Sequence, residues 1–172
     1  MSNYRGDLKS PLFILKMTLK ERVEQLLQKV LAERTDLFLI ALKISPNGEI
    51  KVIVDGDQGV TLNDCIDISR GIEHPLNEDE FDFSLEVMSP GASEPIINNR
   101  QYRKNIGRTL LVRTAGEDVY EAVLTEVDDN GIHLSWKERQ PKPVGKGKRT
   151  VKLEKMISFS EVSEAKVKIK FN

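Results

Sequence analysis

The spacing of apolar residues changes character along this chain, and that change divides it. Thr18 and Glu21 form a capping-box pattern, and Leu19, Val23, Leu26, Leu27, Val30 and Leu31 then recur at helical spacing. "DLFLIALKIS" is apolar on both faces and reads as a buried strand; Pro46-Asn47-Gly48 turns the chain; "EIKVIVDG" alternates Ile50, Val52 and Val54 as the partner strand. A second helix is expected from Thr61, a good N-cap with Asp64 favoured by the helix dipole, and Pro75 is its expected stop. Leu62, Cys65, Ile66 and Ile72 give that helix an apolar side, and "FDFSLEVM" alternates Phe81, Phe83, Leu85 and Val87 as a third strand. The order is α-β-β-α-β, two helices covering one face of a small mixed sheet.

After Pro90-Gly91 and Pro95 the helical period does not return. "NNRQYRKN" reads as a short linking helix or turn, and then come "RTLLVRT", "VYEAVLTEV", "IHLSWK", "TVKLEK" and "AKVKIKF". Five short strands with tight turns in about 70 residues point to a small closed barrel of the SH3 or Sm type. The expected organisation is α+β: a tail at 1–16, an α/β domain at 17–97 and an all-β SH3/Sm-like barrel at 98–172.

Charge follows the same division. Residues 1–97 carry 10 Lys+Arg against 17 Asp+Glu, a net of -7; residues 98–172 carry 16 against 10, a net of +6. Such asymmetry implies different partners for the two halves, or a polyanion facing one of them. No apolar run approaches the roughly 20 residues of a membrane span. "PLFIL" is too short for a signal-peptide core, and the single cysteine, Cys65, suits a reducing compartment, so a cytoplasmic location is expected.

The motifs that carry chemistry argue against an enzyme. His74 and His133, the two histidines, lack the Ser, Cys and acid neighbours of a nucleophilic site, and no Cys/His cluster has zinc spacing. Ser89 lacks the G-x-S-x-G frame, and Ser163 with Lys166 would point to opposite faces of a strand. Around Gly145-Lys146-Gly147-Lys148 a phosphate loop fails because Arg149 stands where Ser or Thr is needed. "GDQG" at 56–59 matches the KH-domain G-x-x-G, but Asp55 and Asp57 would repel phosphate, leaving a glycine turn into a helix. Those two aspartates do not make a calcium loop, since Ile66 holds the position of its closing Glu. Trp136 and Tyr120 lie on strands, where packing is commoner than base stacking. No catalytic residue, metal or cofactor is expected.

"DGDQGVTLNDCIDISRGI" followed by "LEVMSPGASEPI" is similar to two recognisable stretches of the bacterial ribosome maturation factor RimP family. "NIGRTLLVRT", "VYEAVLTEVDDNGIHL" and "SEAKVKIKF" resemble that family's C-terminal barrel, so the likeness runs from Met17 to the end. It departs from the family pattern at Met88, at Ala92-Ser93-Glu94 and at Ala122. The resemblance implies an α/β domain joined to an SH3-like or Sm-like barrel, and non-catalytic binding to the immature small ribosomal subunit. The implied partners are rRNA and a ribosomal protein near the decoding centre. Implied surface residues are Asp64 and Arg70 on the second helix, and Ser89, Pro90 and Gly91 after the third strand.

"LSWKERQPKPVGKGKRTVKLEK", Leu134 to Lys155, holds eight Lys or Arg against two Glu. Alone it would be a solvated loop; beside the charge split and the family likeness it becomes a candidate for phosphate contacts. Lys137, Arg139, Lys142, Lys146, Lys148, Arg149 and Lys152 are the candidates, expected to line a flexible hairpin loop. The acidic "NEDEFD" suits a solvated loop or attraction to a basic ribosomal protein. A monomer without membrane attachment is expected. The alternatives are an Sm-like RNA-binding regulator without a ribosomal role, which would form a ring, and an enzyme using the acidic half.

Overall fold

The structure, a computed structural model, describes residues 17–170. The chain forms two compact units, the first ending at Pro90 and the second beginning at Gly91. No helix among the described residues is long and apolar enough to cross a membrane.

The first unit holds α1 (Leu19–Ala32), β1 (Leu37–Ile44), β2 (Glu49–Gly56), α2 (Leu62–Glu78) and β3 (Ser84–Met88). Both helices begin with a reciprocal cap. The Thr18 hydroxyl accepts from the Glu21 amide and the Glu21 carboxylate accepts from the Thr18 amide, both at 3.2 Å. Thr61 and Asp64 repeat the arrangement at 2.9 and 3.1 Å. Each pair satisfies two amides that a helix start leaves without partners.

β2 is central, antiparallel to β1 and parallel to β3. Val23, Leu26 and Leu27 of α1, Ile68, Ile72 and Leu76 of α2, and Ile50, Val52 and Val54 of β2 close one core. The helices approach closely at Gly71, where an added Cβ would lie 2.7 Å from Val30 Cγ2. The sequence reading is corrected in two places. β1 is an edge strand, not a buried one: Leu39 stays 37% exposed, and the register shifts between Leu39 and Ala41. Pro75 does not stop α2 but lies inside it. Proline inside a helix costs about 3 kcal/mol. The full burial of Ile72 and Leu76 on either side of it, about 1.5–3 kcal/mol each, offsets that cost.

The second unit begins with a 3₁₀ helix (Asn99–Asn105) and continues with β4 (Thr109–Thr114), β5 (Val119–Val127), β6 (Gly131–Pro141), β7 (Lys148–Ser158), a 3₁₀ turn (Phe159–Glu161) and β8 (Val162–Val167). Its core is Leu110, Val112, Ala122, Leu124, Ile132, Leu134, Ile157 and Ala165, together with Tyr102. Tyr102 is 3% exposed, so the segment read as a link is part of the core. Burial pushes its phenol up to about 12.

The five strands run in the order β7-β6-β5-β4-β8, each neighbour pair antiparallel. The expected closed barrel is therefore not obtained: the sheet has two ends, β7 and β8. At β8 the incoming chain occupies the outer edge, with the Ile96 amide donating to the Ala165 carbonyl at 2.7 Å.

Candidate nucleic-acid interface

Most of the candidate cations do not sit on a loop. β6 and β7 pair continuously from Gly131–Ser158 to Pro141–Lys148, which leaves only residues 142–147 for the turn. β5 follows β6 only between Val127–Ile132 and Val123–Ser135. From Trp136 to Pro141, β6 is therefore paired with β7 alone. The result is a two-stranded arm reaching about 20 Å past the sheet at 3.3 Å per residue. The sequence reading missed this because Pro141, Pro143, Gly145 and Gly147 resemble loop punctuation. In fact Gly145 and Gly147, with φ of +87° and +102°, serve the turn. The Lys142 amide donates to the Gly147 carbonyl across it at 3.1 Å.

Register decides how the charge is presented. Lys137 lies opposite Lys152, Arg139 opposite Thr150, and Pro141 opposite Lys148. Directly opposed residues share a face, so these four cations form one row. Trp136–Leu153, Glu138–Val151 and Gln140–Arg149 share the other face. Arg149 is thus separated from its sequence neighbour Lys148, while Lys142 and Lys146 stand in the turn. All seven are exposed. Few acids offset them: Lys152 pairs with Glu154 at 3.2 Å, an exposed pair of little energetic weight. Arg139 Nη2 contacts the Lys148 carbonyl at 3.5 Å.

At the other end of β6 a tight turn fixes where the arm's hairpin starts. Asp128 Oδ1 accepts from the Asn130 and Gly131 amides at 2.8 and 2.9 Å, and Oδ2 from His133 Nε2 at 2.7 Å. The imidazole holds the carboxyl below its ordinary range, and the carboxylate raises the imidazole above its own.

The first-unit candidates are arranged differently. Asp64 is mostly buried by its own partners: it caps α2 through Thr61 and takes a 2.9 Å ion pair from Arg34, which also binds Asp36. The Thr61 amide and hydroxyl, then Arg34, hold its carboxyl low. Arg70 is exposed on α2; Ser89 and Gly91 are exposed after β3, and Pro90 is half-buried.

Reasoning from sequence missed Lys170, which shares a cleft with Lys137 and Lys152 although it lies 18 or more positions away in the chain. No local signal marks it; only the folding of β8 beside β4 brings it there. Among the described residues no group of three or more His, Cys, Asp or Glu could hold a metal ion.

Residues 26–93 match the family model for the RimP N-terminal domain. A protein of Christiangramia forsetii named ribosome maturation factor RimP is 56% identical over 153 residues, covering 89% of this chain and 99% of its own. One of Flavobacterium psychrophilum with the same name is 48% identical over 155 residues, covering 90% and 100%. A third, of Cytophaga hutchinsonii, is 28% identical over 90% of this chain.

Proposed function

Because the chain belongs to the ribosome maturation factor RimP family, we propose that it binds the immature small ribosomal subunit during assembly and leaves once maturation proceeds. The family is one of non-enzymatic assembly factors. The observation that carries the subunit-binding reading is the cationic arm of β6 and β7, whose register puts Lys137, Arg139, Lys148 and Lys152 in one row. Contacts of this kind neutralise phosphates without reading sequence, associate quickly and weaken with salt, which suits a factor that must depart.

In this reading the two units, divided at Pro90–Gly91, are separate modules, the second an SH3/Sm-like sheet that is open at its ends. The second meets rRNA. The first, with its net charge of -7 over residues 1–97, meets a basic ribosomal protein near the decoding centre. Complementary charge there would set orientation and encounter rate more than affinity. Arg70, Ser89, Pro90 and Gly91 supply exposed docking groups, and Asp64 supports them by holding the start of α2. The protein acts in the cytoplasm as a monomer.

Sucrose-gradient sedimentation of cell lysate tests this directly. The protein should travel with immature small subunits and release as salt rises, and the triple variant Lys146→Glu/Lys148→Glu/Arg149→Glu should stay near the top while keeping its fold. Co-sedimentation unchanged by that variant across a salt series would refute the reading.

A further inference from the structure

β1 borders the sheet of the first unit, and its outer margin carries no strand among the described residues. Between α1 and this strand runs an open groove of about 580 Å³. That is within the roughly 300–1,000 Å³ of ligand-binding clefts.

The floor of the groove is apolar: Leu27 and Leu31 of α1 with Leu39 and Leu42 of β1. Leu39 lies opposite Val54 and Leu42 opposite Val52, both core residues, so both leucines stand on the side of the sheet that the helices cover. Leu31 and Leu42 are nevertheless only half-buried, and Leu39 is 37% exposed. The helices leave this edge of their own layer open.

The rim is acidic. Glu21 and Glu24 come from the early turns of α1, and no lysine or arginine lines the groove. Glu24 forms no ion pair among the described residues. Glu21 gives one carboxylate oxygen to the Thr18 amide and keeps the other for a partner.

This chemistry selects its occupant. A phosphate or an anionic headgroup would meet two carboxylates and no cation. A purely charged partner would leave the leucines in water, and a purely apolar one would leave the glutamates unpaired. An extended peptide with cations at one end and apolar side chains at the other satisfies both. From Glu21 to Leu31 α1 rises about 15 Å, which an extended chain spans in about five residues. Its alternate side chains can enter the groove while the others face solvent, and the open margin of β1 offers its backbone partners.

We propose that this groove docks an extended basic and apolar segment of a partner protein, with lysine or arginine on Glu24 and Glu21 and apolar side chains on Leu31, Leu39 and Leu42. The inference rests on the reading that the first unit meets a basic ribosomal protein. It gives that contact a place on the unit and adds apolar anchors that net charge does not supply.

The probes are the fluorescein-labelled heptapeptide Lys-Thr-Lys-Thr-Leu-Thr-Leu and the same sequence reversed. Fluorescence anisotropy should show saturable binding of one of them to the full-length protein, and a peptide of equal charge with serine in place of both leucines should not bind. Leu39→Thr should weaken binding about fivefold through lost apolar contact. Glu24→Gln should weaken it about threefold at low salt, a difference that fades as salt rises. Both side chains lie outside the buried core, and far-UV circular dichroism verifies that each variant keeps its fold. Equal binding of the serine peptide would reduce the groove to net charge and overturn the proposal. If neither heptapeptide binds while the protein still sediments with immature subunits, the groove proposal falls and the subunit reading stands. If a heptapeptide binds but co-sedimentation is absent, the groove stands and the subunit reading falls. A dimer that forms with rising protein concentration and is lost in Leu39→Thr would give the groove to a second copy of this chain and overturn the proposal.

Discussion

Lys137 and Lys152 stand directly opposite one another across the β6–β7 arm. Like charges at such positions destabilise a strand pair, and Glu154 relieves Lys152 only at the surface. The arm therefore holds an unfavourable pair in the free protein that a bound polyanion would relieve.

Replacing Lys137 with threonine should thus stabilise the free protein by about 0.5 kcal/mol at low salt, within the range for cross-strand pairs. Urea unfolding measures this, and the gain should fade at high salt as screening shortens the reach of the charges. The same variant should bind immature subunits more weakly.

Lys148 and Arg149 are neighbours in sequence but project from opposite faces of the arm. Lys148→Glu should reduce co-sedimentation with immature subunits more than Arg149→Glu does. Equal losses would indicate that only net charge counts and that the row on one face has no special role.

Gly131 opens β6 where an added Cβ would lie 2.2 Å from the Ile157 carbonyl oxygen and 2.8 Å from Ser158 Cα. Both neighbours are backbone, so neither can swing aside. Gly131→Ala should cost about 1–3 kcal/mol, as overpacking does, lowering the denaturation midpoint of the second unit.

The Asp128–His133 pair makes the turn between β5 and β6 sensitive to pH. The imidazole is raised from 6.5, so its contribution is complete below that value and lost as pH climbs through the folded-state value. The carboxyl is lowered from 3.8, so its contribution is complete above that value and lost as pH falls through the folded-state value. The pair should hold best between about 4 and 6.5. NMR titration should place the His133 midpoint above 6.5. His133→Gln should flatten the dependence of stability on pH above neutrality.

Asp64→Ala should lose both the capping box and the Arg34 ion pair, costing about 1 kcal/mol in thermal or urea unfolding. A wild-type midpoint with reduced subunit binding would assign Asp64 a contact role instead.

Local chemistry was the legible part of this sequence. Thr18 with Glu21 and Thr61 with Asp64 announced both helices, since a cap is a short-range device and both caps are formed. Pro75 misled because burial of Ile72 and Leu76, a tertiary effect, outweighs a local breaker. β1 misled because its apolar run does not say which strand will be central. The cations of the second unit were visible as charge, but their division between faces depends on register, and the cleft depends on where the β5–β6 ladder ends at Val123–Ser135. Lys170 could be placed only once the chain had folded.

The sheet's outermost strand, β7, is 11 residues long, with one margin of its backbone open. Such a margin ordinarily invites another chain to pair with it and seed aggregates. Here Lys148, Arg149, Lys152 and Lys155 guard it, so a second copy approaching side by side would meet its own repulsion. The residues proposed to make this strand attractive to a nucleic acid also make it inhospitable to itself.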